Sequence, residues 1–130
     1  LEINVMIKQE FIPYEQALAL KKLGFNEPCL DFFDDTKELF YNHGNKEKIH
    51  IGNSVAAPLY QQAFRWFREK YKLKCCIIPL VCEQGYSDLY ESRIHQEKHS
   101  ISIIGNYKIY EEAELECLKK LIKICDKTNN

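Results

Sequence analysis

Apolar and polar positions change period several times along the chain, and each change marks an element. At 100° per residue, Tyr60, Ala63, Phe64, Phe67 and Tyr71 share one arc, and Gln61, Gln62, Arg65, Arg68 and Glu69 lie opposite. This predicts an amphipathic helix from Pro58 to about Lys72. Upstream, Pro13 suits a first helical turn and "YEQALALKKL" supplies good helix formers. Gly24 then stands where a helix ends in the left-handed conformation, with Phe25 folding back on Leu20, so the first helix is Pro13–Leu23. A third helix is expected over Tyr110–Lys127, "YEEAELECLKKLIKICDK".

Between the helices the pattern is of β type. "CLDFF" and "ELFYN" joined by "DDTK" read as a hairpin. Residues 42–56 are polar, with two Gly and three Asn, and are expected to be a long loop holding a short strand at Ile49–Ile51. "KCCIIPLVCE" reads as a strand in which Pro79 marks a bulge or an edge. "SDLYESRIHQ" and "HSISIIGNY" follow as two more strands, with Gly85 and "QEK" as turns. The expected fold is therefore α+β: a small antiparallel sheet with helices packed on one face. Its C-terminal part, residues 58–127, runs in α-β-β-β-α order within a single domain of residues 6–130. Residues 1–5 precede Met6, the only Met, and are expected to be a non-native or disordered extension.

Two resemblances follow. The helix–three-strand–helix order, with the "Glu-Ala-Glu" start of the last helix and its Ala, Cys and Leu interior, resembles the double-stranded-RNA-binding domain over the second half of the chain. That resemblance implies two helices on one face of a three-stranded antiparallel sheet. It also implies lysines at the start of the last helix, where this chain has Tyr110, Glu111, Glu112 and Glu114. Carboxylates there suit the helix dipole but repel phosphate. The pieces "FIPYEQALALKKLGFNEPC", "QAFRWFREKY" and "YEEAELECLKKLI", in this order, resemble a family of small uncharacterised proteins from gut Bacteroidales and their phages. This resemblance runs from Met6 almost to the end, implies the domain boundaries, and carries over no site.

Composition narrows the function classes. The 130 residues are 45% hydrophobic and 28% charged, a globular balance, and the net charge is −1. No whole-chain field draws nucleic acid or an anionic membrane. Residues 58–127 hold 12 Lys and Arg against 10 Asp and Glu, and residues 1–57 hold 6 against 9. No apolar run approaches the roughly 18–20 residues of a membrane span, and "LEINVMIKQE" lacks the apolar stretch and cleavage site of a leader. The six Cys (29, 75, 76, 82, 117 and 125) sit in apolar or periodic segments rather than loops. They are read as reduced, buried thiols of a cytoplasmic protein. Cys75 and Cys76, being adjacent on a strand, point to opposite faces.

Candidate chemistry is sparse. Trp66, Arg65 and Arg68 could form a stacking surface for bases, but the helical projection separates Trp66 from both Arg. Trp66 is expected to be a partly buried edge residue. Cys76-x5-Cys82-x12-His95-x3-His99 approaches a zinc-finger spacing, yet its first gap holds "IIPLV" and no helix carries the two His. Asp31, Asp34, Asp35 and Glu38 could hold Mg²⁺ or act as acid and base, but Asp34 and Asp35 fall in a turn, where Asp is favoured for local hydrogen bonding. No G-x-S-x-G elbow and no phosphate loop occurs. No catalytic residue, metal ligand or cofactor is assigned.

On the last helix, Tyr110, Ala113, Cys117, Leu121 and Ile124 form a stripe for the sheet, widened by Leu118 and Cys125. Leu115 and Ile122 lie about 140–160° round from Cys117. A face this wide needs a second cover, from helix one or from another chain. Leu115, Leu118, Ile122 and Trp66 are thus the candidate partner-binding residues. The expected function is a non-enzymatic protein-binding module of phage or mobile-element type, with a protein partner or self-association and no membrane. The alternatives are a double-stranded-RNA-binding module and a small metal-dependent enzyme.

Overall fold

The computed structural model describes residues 7–41, 54–97 and 101–129; the strand expected at Ile49–Ile51 and the extension at residues 1–5 lie outside them. The chain divides into two compact units, Leu1–Ala63 and Phe64–Asn130. The fold is α+β, and the strands among the described residues fall into two antiparallel three-stranded sheets.

In the first unit, helix α1 (Tyr14–Leu23) follows Pro13, whose carbonyl accepts the Ala17 N–H at 2.9 Å. The helix stops at Gly24, which takes φ 103°. There the Gly24 N–H donates to Lys21 O and the Phe25 N–H to Leu20 O, at 3.1 and 2.9 Å. These two bonds are the Schellman pattern, and Leu20 and Phe25 are both buried. Strands β1 (Asp31–Phe33), β2 (Leu39–Tyr41) and β3 (Val55–Ala57) pair in the order β2-β1-β3. Phe32 and Phe33 of the central strand are both buried although they point to opposite faces, so both faces of β1 are covered. Phe32 lies across from Phe40, and Phe33 meets the Tyr14 ring edge-on at 5.6 Å. The Asp34 carboxylate closes the β1–β2 hairpin by accepting the Thr36 and Glu38 N–H groups.

Helix α2 (Tyr60–Tyr71) begins in the first unit, where the Tyr60 N–H donates to Glu10 O and the Ile12 N–H to Pro58 O, both at 3.0 Å. Its pattern follows the projection: Tyr60, Ala63, Phe64 and Phe67 are buried, and Gln61, Arg65, Arg68 and Glu69 are exposed.

In the second unit, strands β4 (Lys74–Cys82), β5 (Gly85–His95) and β6 (Ile101–Tyr107) form a meander, and helix α3 (Tyr110–Asn129) packs on one face. The β4–β5 register shifts between Pro79 and Val81, so Pro79 marks an irregularity on an edge strand, the place in a sheet where Pro is tolerated. A second shift separates Ser92↔Gly105 from Arg93↔Ile103. Ala113, Cys117, Leu118, Leu121 and Cys125 have no exposed surface. Burying the two Leu side chains contributes about 1.5–3 kcal/mol each.

Four expectations are corrected. Residues 55 and 56, read as loop, form β3 together with Ala57, because so short a run becomes a ladder once β1 lies alongside. Cys75 and Cys117 are bonded to each other rather than reduced: the helix-facing member of the adjacent Cys pair meets the centre of the helical stripe. Trp66 is 7% exposed, not an edge residue, with Phe67 and Tyr71 edge-on to its ring and Lys70 Nζ 4.9 Å from its centroid. Tyr110, assigned to the stripe, is 38% exposed and meets the Tyr90 ring of the sheet edge-on.

Candidate functional site

The end of α2 and the start of β4 bring three cations together within the second unit. Arg68 lies in the last turn of α2. Lys72 follows the helix with φ 59°, its Nζ donating to Glu69 O at 3.0 Å. The Leu73 N–H donates to Phe67 O at 3.3 Å, and buried Leu73 anchors this reversal. Lys74 then opens β4, and its register partner is His95, the last residue of β5. Two residues on, Cys76 faces the same side as Lys74. The result is a cleft of about 590 Å³ lined by Arg68, Lys72, Lys74, Cys75, Cys76, His95, Gln96 and Glu97.

Cys76 and His95 meet in this cleft. The Cys76 Sγ lies 3.6 Å from His95 Nε2. With the ring proton on Nδ1 the thiol donates to Nε2. Both side chains are half-buried, while Arg68, Lys72 and Lys74 are exposed. Among the described lining residues only Glu97 supplies opposite charge. Next along the same sheet face, Arg93 Nε is paired with the nearly buried Glu91 carboxylate.

The remaining thiols differ. Burial, helped by the Glu27 carboxylate, pushes the Cys29 thiol up to about 12 against the Gln62 hydrogen bond. Burial pushes Cys125 up to about 11, with Lys70 opposing. Cys82 is exposed at the β4–β5 turn and donates to Gly85 O at 3.2 Å. The near-finger spacing therefore brings Cys76 to His95 and leaves Cys82 at the other end of the hairpin. His99 lies outside the described residues. Among the described residues no three His, Cys, Asp or Glu side chains converge to hold a metal ion.

The acidic cluster also comes apart. Asp31 is buried at the start of β1, which raises its carboxyl above the usual range. Asp34 is held below that range by hydrogen bonds from Thr36 and Glu38. Asp35 and Glu38 are exposed. Of the candidate partner-binding residues, Leu118 and Trp66 are buried, which leaves half-buried Leu115 and Ile122 of the expected patch. Among the described residues no helix is long and apolar enough to cross a membrane.

The cation cleft escaped the sequence reading because helical projection assigned Arg68 to a solvent face and placed Lys72 at the end of the helix and Lys74 at the start of the next strand, with nothing to show that the three meet. The signal that could have found it was the charge density of "REKYKLK" directly before a strand. Comparison with family models, with curated proteins and with solved structures found no match.

Proposed function

We propose that the chain is a non-enzymatic binding module that takes an acidic segment of a protein partner at the cleft of its second unit. The observation that carries this reading is the convergence of Arg68, Lys72 and Lys74 on one cleft beside His95, against the single carboxylate of Glu97. Exposed cations around a concave site attract carboxylates and fix their register, with an on-rate that salt suppresses. The cleft is of the size that admits a few side chains rather than a long groove. The glutamates at the start of α3 disfavour a phosphate backbone there. The phage or mobile-element setting implied by the resemblance belongs to the same proposal.

The test is titration of a fluorescent Glu- and Asp-rich peptide at low and physiological salt, with a duplex RNA in parallel. Saturable peptide binding that weakens with salt and is lost in Arg68→Glu/Lys72→Glu is expected. Tighter binding of the duplex, or peptide binding indifferent to the charge reversal, would overturn the reading.

A further inference from the structure

The cleft holds a nucleophile that acidic-segment binding does not use. We propose that Cys76 is a thiol–disulfide exchange site for small carboxylate-bearing disulfides, with His95 as its proton acceptor and the Arg68, Lys72 and Lys74 cations as the carboxylate dock. The inference rests on the cleft's attraction for carboxylates proposed above, and adds a covalent step to it.

Geometry singles out this sulfur. Cys75 and Cys117 are already bonded to each other. Cys29 and Cys125 are buried, and burial keeps both thiols protonated well above neutral pH. That leaves Cys76 and Cys82. Cys82 is the more exposed, but its sulfur donates to a backbone carbonyl in a turn. Cys76 is the one with an imidazole within 3.6 Å and cations lining the same cleft. A thiolate is the attacking form, so a base beside the thiol and positive charge around it both favour reaction.

The incoming disulfide is itself the oxidant, so the step balances. His95 Nε2 takes the Cys76 proton, and the thiolate attacks one sulfur of the incoming disulfide. The new Cys76 S–S bond forms as the old S–S bond breaks. The departing thiolate takes the proton back from His95 and leaves as a thiol. The Cys76 sulfur is oxidised and the departing sulfur is reduced. The cations hold the carboxylates of the incoming molecule while this occurs, and so raise its local concentration.

The experiment uses the whole chain with its Cys75–Cys117 bond intact. It is exposed at neutral pH and low salt to oxidised glutathione, an anionic disulfide, or to cystamine, a cationic one. Peptide mapping after acid quench reads which Cys is modified and how fast. Glutathione disulfide should modify Cys76 about tenfold faster than Cys82, and cystamine should not show that preference. Lys72→Glu, a change at an exposed position, should erase the difference between the reagents while leaving cystamine able to reach Cys76. His95→Gln should slow the Cys76 reaction with both reagents at neutral pH. Faster modification of Cys82 by both reagents, or equal rates for both reagents at Cys76, overturns the inference. Acidic-peptide binding to Cys76→Ser is measured alongside. Binding retained there without preferential glutathionylation of the native chain sinks the exchange step alone. Preferential glutathionylation without peptide binding upholds the exchange site and sinks the peptide reading.

Discussion

Cys75 on the edge strand β4 is bonded to Cys117 at the middle of α3, 42 residues later in the chain. The bond joins two surfaces already packed together, because the Cys117 sulfur also lies 3.8 Å from Arg93 O on β5. Closing a loop of this length restricts the unfolded chain and contributes about 2–4 kcal/mol. Thiol titration in denaturant should therefore find four free thiols before reduction and six after it. Cys75→Ala/Cys117→Ala should unfold at lower urea with a stability loss of about that size. Six thiols before reduction would show the pair to be open.

Gly105 lies beside the register shift of β6, with φ 157°, and a Cβ placed there would stand 3.0 Å from the Tyr107 hydroxyl. Gly105→Ala should cost about 1–3 kcal/mol, read by chemical denaturation, from backbone strain together with displacement of the Tyr107 ring. Tyr107→Leu removes the hydroxyl, so Gly105→Ala in that background should cost less. An equal cost in both backgrounds would assign the whole effect to the backbone.

The buried thiols make stability fall at alkaline pH. In the unfolded chain Cys29 and Cys125 ionise near ~8.5, whereas in the folded chain burial holds them to about 12 and about 11. Their folded values are raised, so the contribution is fully present below the unfolded value. It is lost progressively as pH rises toward the folded values, because only the unfolded chain releases the protons. Melting temperature should thus drop between about pH 8.5 and 11. Cys29→Ala/Cys125→Ala should flatten that drop even if it lowers the melting temperature throughout. An unchanged slope would place the alkaline transition on other groups.

What was legible in the sequence was what local chemistry decides. Gly24 after an apolar-periodic segment and Phe25 behind it specify the end of α1, because only the left-handed backbone at Gly24 lets both hydrogen bonds form. Pro79 announced its own irregularity for a similar reason. By contrast β3 is three residues long and has no pattern of its own; pairing with β1 makes it a strand. The Cys75–Cys117 contact combines two facts the sequence does show, alternation at Cys75 and Cys76 and the central place of Cys117. Only the sheet register shows that they meet. The cleft is harder still, because Lys74 faces His95 across a ladder whose register is set by the Pro79 irregularity and the turn at Gly85.

The last helix tests how far one apolar face extends. Leu118 and Leu121 have no exposed surface, whereas Leu115 and Ile122 are half-buried on the flank. Leu118→Ala leaves a cavity that the packed sheet cannot close, and should cost about 2–5 kcal/mol. Leu115→Ala removes a side chain that solvent already touches, so it should cost clearly less. Urea denaturation of the two variants reads the difference directly. Leu115→Glu with Ile122→Lys then asks what the flank does, through sedimentation and thermal melting together. Because solvent reaches both residues, the double variant should stay folded. If the flank is a surface between copies, the native chain should sediment as a dimer and the variant as a folded monomer. Equal costs for Leu118→Ala and Leu115→Ala, or an unfolded double variant, would show that the flank is as much core as the centre of the stripe.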